Sequence, residues 1–104
     1  MAQFLRVFQT AVDPSDVDTV RRLFLDDILP AYSSLPGCLG MELVMSVEHN
    51  AGGLVEGWAI SRWESRDAMD SAVASRGARE SQVRVFELLR QEPVVRVFEV
   101  LCPK

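Results

Sequence analysis

The chain has 104 residues, the length of one domain with one core, so a single domain over residues 1–104 is expected. Hydrophobic residues make up 48% and charged residues 25%, the balance of an ordinary globular chain. Fifteen acidic residues against eleven basic ones give a net charge of −4, which excludes a basic stripe for nucleic acid or an anionic membrane.

Residues 3–12 alternate, with Phe4, Arg6, Phe8 and Thr10 against Leu5, Val7, Gln9 and Ala11. That pattern predicts a strand with apolar bulk on both faces. Asp13-Pro14-Ser15-Asp16 reads as a helix start, because Asp13 can cap and proline suits the first helical position. The helix that follows carries Val17, Val20, Phe24, Ile28 and Tyr32 at spacings of three and four. This is one apolar stripe, which Leu23, Leu25 and Leu29 are expected to widen. Arg21, Arg22, Asp26 and Asp27 form its solvated side. Pro30 is expected to kink the helix or end its regular part, and Leu35-Pro36-Gly37 stops it.

Residues 38–48 alternate again, with Met41, Leu43, Met45 and Val47 on one face and Glu42, Val44, Ser46 and Glu48 on the other, as suits a sheet edge. Asn50-Ala51-Gly52-Gly53 is turn chemistry, so a hairpin joins this strand to the next one, over 54–64. No Lys-Ser/Thr pair follows the glycines, so they do not make a phosphate loop. The strand 54–64 has two unlike faces. Val55, Gly57, Ala59, Ser61 and Trp63 share a small face ending in one indole, and Leu54, Glu56, Trp58, Ile60 and Arg62 share a bulky one. Ser65 caps a helix whose apolar side is Ala68, Met69, Ala72 and Val73. Ser75-Arg76-Gly77 is expected to interrupt it. A second segment over 78–90 turns Val83, Phe86 and Leu89 inward, with Val85 a further candidate. Pro93 breaks it, and 94–101 is a valine-rich last strand.

Strand, helix, strand, strand, helix, strand, with right-handed crossovers, defines an α+β ferredoxin-like βαββαβ sandwich with antiparallel sheet order 4-1-3-2. Two helices cover one side of such a sheet. The other side holds Trp58, Ile60, Leu5, Val7 and either the Val94 or the Val95 set, an apolar patch that calls for a cover. A homodimer with sheets face to face is the economical solution.

No apolar run approaches the roughly 18 residues of a spanning helix. Met1-Ala2-Gln3-Phe4-Leu5-Arg6 lacks the basic start and long apolar core of a signal peptide, so the expected location is cytoplasmic. Cys38 and Cys102 lack metal-type spacing and His49 is the sole histidine. Two free thiols, a solvated His49 and no metal are therefore expected.

Leu35-Pro36-Gly37-Cys38-Leu39-Gly40 before the second strand and Arg62-Trp63-Glu64-Ser65-Arg66-Asp67-Ala68 after the third resemble the antibiotic biosynthesis monooxygenase family, whose members are dimeric α+β barrel proteins. The resemblance runs from Phe4 to Leu101. It implies a pocket between helices and sheet, a homodimer through the sheet, and a cofactor-independent oxygenase acting on a small aromatic or quinol-type molecule. It also implies that Trp63 is the strand-ending tryptophan that lines the pocket. Heme-degrading members use an asparagine on the first strand and a histidine on the second helical region. Those positions here are Phe8 and Ser81, which do not supply that chemistry. Some polyketide oxygenases of the family carry an asparagine four residues before the tryptophan, which here is Ala59. The same fold also suits a non-catalytic dimeric binder.

The candidate substrate-binding residues are Trp63, Phe8, Arg6, Phe24, Ala59, Ser61, Met69, Phe86 and Tyr32, with no cofactor and no assigned catalytic residue. Gly57, Ala59 and Ser61 either leave a cavity under the helices or let a helix approach closely. Arg6 either pairs with Glu56 or Glu99, or anchors an anionic or phenolate substrate. A conventional general base would have to be a carboxylate or His49 itself; chemistry without a cofactor can instead rely on the substrate's own acidity and orientation in a dry cavity.

Overall fold

A computed structural model describes residues 2–102. Met1, Pro103 and Lys104, the ends of the expected domain, lie outside the described residues. The long alternation at the start becomes β1 (Gln3–Val12), an inner strand of the sheet. β2 (Cys38–His49), β3 (Val55–Trp63) and β4 (Val94–Val100) complete a four-stranded antiparallel sheet in the order β2-β3-β1-β4, the expected order read from the other edge. In register, Phe8 stands between Ala59 and Val95, and Arg6 between Ser61 and Val97.

Asp13 caps the first helical stretch as expected: its carboxylate accepts from the Ser15 backbone N–H at 2.9 Å. A single 3-10 turn (Pro14–Asp16) leads into α1 (Val17–Leu23). A π turn over Phe24–Ile28 follows, then α2 (Leu29–Ser33). The Leu29 N–H reaches back five residues to the Phe24 carbonyl. Pro30 thus falls in the first turn of a new α-segment, where its missing N–H leaves no gap, and the chain stays helical to Ser33. The π turn also aligns the stripe. Steps of four residues drift about 40° each on a regular helix, yet Val20, Phe24, Ile28 and Tyr32 are all buried. Leu25 does not widen the stripe: it points away from the sheet and is 51% exposed.

The second helical region is more broken than its pattern implies. α3 (Arg66–Ala74) ends at Ser75, whose backbone is extended, while α4 (Arg76–Ser81) and α5 (Val83–Phe86) follow as short separate pieces. Ser75 alone makes the break, because its hydroxyl donates to the Ala72 carbonyl and accepts from the Ala78 N–H. Arg76 and Gly77 lie inside α4. The turn between α4 and α5 rotates Val85, the further candidate, into the core and leaves Val83, expected to face inward, 58% exposed. On β2 the alternation fails after Met45. Met45 faces Gly57 but His49 faces Val55, so extra residues bulge out between them. Ser46 Oγ accepts the Glu56 N–H there, and Val47 leaves the helix-side face for solvent.

The core lies between sheet and helices, around Trp63, Tyr32, Phe24, Ile28 and Met69. On the sheet's opposite face the register selects the Val94 set: Val94 faces Gln9 and Phe98 faces Leu5. Trp58, Val44, Val94 and Phe98 are all exposed there. Cys38 and Cys102 are free thiols.

Candidate functional site

Between sheet and helices lies a narrow cavity of about 50 Å³ that opens to solvent. Its floor is made by strand residues of one parity: Arg6, Phe8, Thr10 and Val12 from β1, Gly57 and Ala59 from β3, and three β2 side chains. The helical stretches supply Val20, Phe24 and Ile28 on one side and Val85 and Phe86 on the other, joined by Gln82 from the turn between α4 and α5 and by Leu89, which bridges Val12 beyond the end of α5. Small residues make the room. A Cβ on Gly57 would meet Met45 Sδ at 2.8 Å, so the methionine lies where a larger side chain would stand. Phe8 and Phe86 stack with ring centroids 5.8 Å apart and planes 28° from parallel.

Among the described residues Arg6 is the one charged residue lining this space. The ion pairs among the described residues join Arg21 to Asp18, Arg66 to Asp70, Arg76 to Glu80 and Arg84 to Asp27, and none involves Arg6. Glu56 faces Ala11 and so belongs to the other side of the sheet. Glu99 faces Phe4 and shares the side of Arg6, but forms no ion pair with it. Thr10 is occupied, its hydroxyl donating to the Gln91 carbonyl at 2.9 Å.

Five of the candidate residues, Arg6, Phe8, Phe24, Ala59 and Phe86, come together on the cavity wall. The other four, Trp63, Ser61, Tyr32 and Met69, form a solid cluster beside it. Trp63 is fully buried, and its indole N–H donates to Ser61 Oγ at 2.8 Å. Tyr32 meets Trp63 edge to face, with centroids 6.4 Å apart and planes at 64°. Met69 is buried at 2% exposure. Tyr32 nonetheless touches the cavity wall through its hydroxyl, which accepts a hydrogen bond from Gln82 Nε2. Burial pushes the Tyr32 phenol above its ordinary pKa, and the nearby Arg6 charge opposes that rise. Strand alternation already grouped Met41, Leu43 and Met45, but their contribution to the floor emerges only once the helices are placed. Gln82 had no such signal, since it sits at the joint between two short helices.

The two stretches that carry the family resemblance meet in space. Gly37 has φ of +84°, and a Cβ there would lie 2.5 Å from Ala68 Cβ. The Glu64 N–H donates to the Gly37 carbonyl at 2.9 Å. Only glycine fits both the left-handed backbone and that contact.

The fold is a ferredoxin-like α+β sandwich with a cavity under its helices. The sequence profile of the antibiotic biosynthesis monooxygenase family matches residues 3–84, and the chain belongs to that family. No curated protein matches it by sequence. Among solved structures it is similar to Rv0793 from Mycobacterium tuberculosis, at 24% identity and TM-score 0.73, with 97% of each chain covered. It is also similar to SnoaB, a cofactor-independent oxygenase from Streptomyces nogalater, solved as a mutant, at 17% identity and TM-score 0.75, covering 97% of this chain and 95% of that one. A conserved protein from Methanosarcina mazei matches at 16% identity and TM-score 0.76, covering 94% and 92%. At these identities the likeness establishes the fold.

Heme, which some family members degrade, does not suit these residues. The Ser81 hydroxyl donates to its own helix at the Ala78 carbonyl, Phe8 is stacked on Phe86, and His49 is exposed at the end of β2. Among the described residues no group of three or more His, Cys, Asp or Glu is placed to hold a metal ion. No helix of the described residues is long and apolar enough to cross a membrane.

Proposed function

We propose that the chain is a cofactor-independent monooxygenase acting on a small aromatic or quinol-type substrate held between the helices and the sheet. The observation that carries this reading is the apolar cavity walled by Phe8, Phe24 and Phe86 over the small floor of Gly57 and Ala59. A flat ring matches an apolar space with aromatic walls on which it can stack. In the simplest such reaction a ring CH₂ flanked by aromatic rings, acidic enough to lose a proton, gives its electrons to O₂. One oxygen atom ends as the ring carbonyl and the other leaves as water, so the substrate supplies all four electrons. The protein's part is to orient the ring, exclude bulk water and favour the ionised form. Trp63, Ser61, Tyr32 and Met69 hold the neighbouring wall in place, and Arg6 orients the substrate.

The working unit in this proposal is a homodimer through the open sheet face, where Trp58, Val44, Val94 and Phe98 are exposed. Sedimentation showing a monomer at micromolar concentration would sink the dimer.

A second reading, a non-catalytic dimeric small-molecule binder, is favoured by one observation. Ala59 and Phe8 offer no hydrogen-bond donor, and Ser61 Oγ is already engaged by Trp63. Oxygen uptake during aerobic incubation with a panel of hydroquinones and anthrones separates the two. The oxygenase gives saturable uptake that disappears in Ala59→Leu, whose side chain fills the floor. Tight ligand binding with no uptake on any substrate leaves the binder.

A further inference from the structure

We infer that the cavity takes a flat aromatic molecule bearing an anionic oxygen, a carboxylate or an ionised phenol, with Arg6 as the group that holds the negative charge. The inference rests on the proposed reading of the cavity as an aromatic-binding site, and it names the charge of the ligand. Three observations carry it. Among the described residues Arg6 is the one charged residue on a wall otherwise built mainly of apolar side chains such as Phe8, Phe24 and Ala59. It has no ion-pair partner among the described residues, although four other arginines do. Its position on β1, between Ser61 and Val97, brings no carboxylate directly opposite it.

A guanidinium half withdrawn from water without a counter-ion is an unfavourable arrangement, and an incoming anion relieves it. The low-dielectric wall strengthens that attraction relative to water. The guanidinium's planar fork also matches two oxygens of a carboxylate, or one phenolate, in the plane of a ring. The field of Arg6 reaches inward, since it acts on the Tyr32 hydroxyl. The internal competitor is Glu99, one diagonal step away on the same side of the sheet, where side chains stand about 7–8 Å apart. Glu99 is exposed and unpaired with Arg6, so it competes weakly for it. The stacked Phe8 and Phe86 rings favour a planar body over a flexible chain.

The test is calorimetric titration under argon, which measures binding without turnover. Naphthoate is compared with its neutral primary amide, with naphthol above and below its own ionisation, and with a straight-chain carboxylate of similar length. Wild type is expected to bind naphthoate about tenfold or more tighter than the amide, the scale of a charge-assisted hydrogen bond. Arg6→Gln abolishes that preference. Glu99→Gln, an exposed change, increases it. Ionised naphthol binding tighter than its neutral form extends the site to phenolates, and no difference restricts it to carboxylates, overturning the phenolate part. Equal binding of naphthoate and amide in wild type, or a preference that survives Arg6→Gln, overturns the role of Arg6. A straight-chain carboxylate binding as tightly as naphthoate overturns the aromatic part. The wild-type comparison stands even if Arg6→Gln fails to fold. Charge preference without oxygen uptake on any substrate would defeat the oxygenase and spare this inference. Uptake with equal turnover of neutral and charged substrates would do the reverse.

Discussion

The helix-facing side of β1 and β3 is packed in two ways along its length. At one end Phe4 faces Trp63; further along Phe8 faces Ala59 and Thr10 faces Gly57, with Arg6, which faces Ser61, at the border and lining the open part. The first region closes completely, with Trp63, Tyr32 and Met69 filling the space and the indole N–H satisfied by Ser61. The second stays open over Ala59, while the Met45 side chain lies over Gly57. The contrast teaches that strand parity tells which face a residue occupies but not whether that face is solid or hollow. The outcome depends on the volume offered by both sides of the gap.

Substitutions in the solid region are expected to strike stability, and those in the hollow region to strike ligand binding. The largest effect should come from Trp63→Ala, which removes a fully buried indole and strands its neighbours around a void. A loss of about 3–5 kcal/mol is expected, enough to lower Tm by more than about 10 °C. Denaturant unfolding measures it, and a loss below about 1 kcal/mol would mean the region collapses freely instead of packing rigidly.

Tyr32→Phe is milder. It keeps the edge-to-face contact but leaves Gln82 without its hydroxyl partner, a cost of about 1 kcal/mol. Because Tyr32 is the sole tyrosine, its ionisation can be followed directly by tyrosinate absorbance. It ionises near pH 10 in the unfolded chain and above that when folded. The stability it contributes is therefore full below pH 10 and lost as pH rises through the folded value. A folded tyrosine titrating at or below its unfolded value would show that the solid region admits water.

The smallest stability change belongs to Phe86→Ala on the cavity wall, where the ring is 46% exposed. Less than about 1 kcal/mol of stability is expected to go. Binding of a flat aromatic ligand should weaken up to about tenfold with loss of the stacking partner. If Phe86→Ala destabilised as much as Trp63→Ala, the two regions would be one continuous core.

Much of this was legible in the residues alone. β1 falls on Gln3–Val12 as its alternation indicated, and the sheet order follows from the crossovers. The π turn was not legible in that reading, although Val20, Phe24, Ile28 and Tyr32 are separated by fours, a spacing that drifts about 120° in all on a regular α-helix. Val47 and Val83 were misplaced for a common reason: each follows a local irregularity, a bulge in β2 or a break after Ser81, that shifts the count of faces. The site was legible as a face, since Phe8, Arg6 and Ala59 were grouped by parity. Which of its members meet open space depends on helix placement, and no pattern within one strand encodes that. The missing partner of Arg6 was likewise illegible, because Glu99 lies on the correct side and fails to pair only by geometry.

The contact between Gly37 and Ala68 bears on what the family resemblance signifies. The carbonyl of Gly37 receives the Glu64 N–H, and the backbone of one loop rests against the first turn of α3. This joint works as a clasp between the end of the first helical region and the start of the second, at the closed end of the sandwich. Both recognisable stretches of the chain belong to the clasp, and neither Gly37 nor Ala68 lines the cavity. The two stretches that carry the resemblance thus form a mechanical fastening set apart from the cavity.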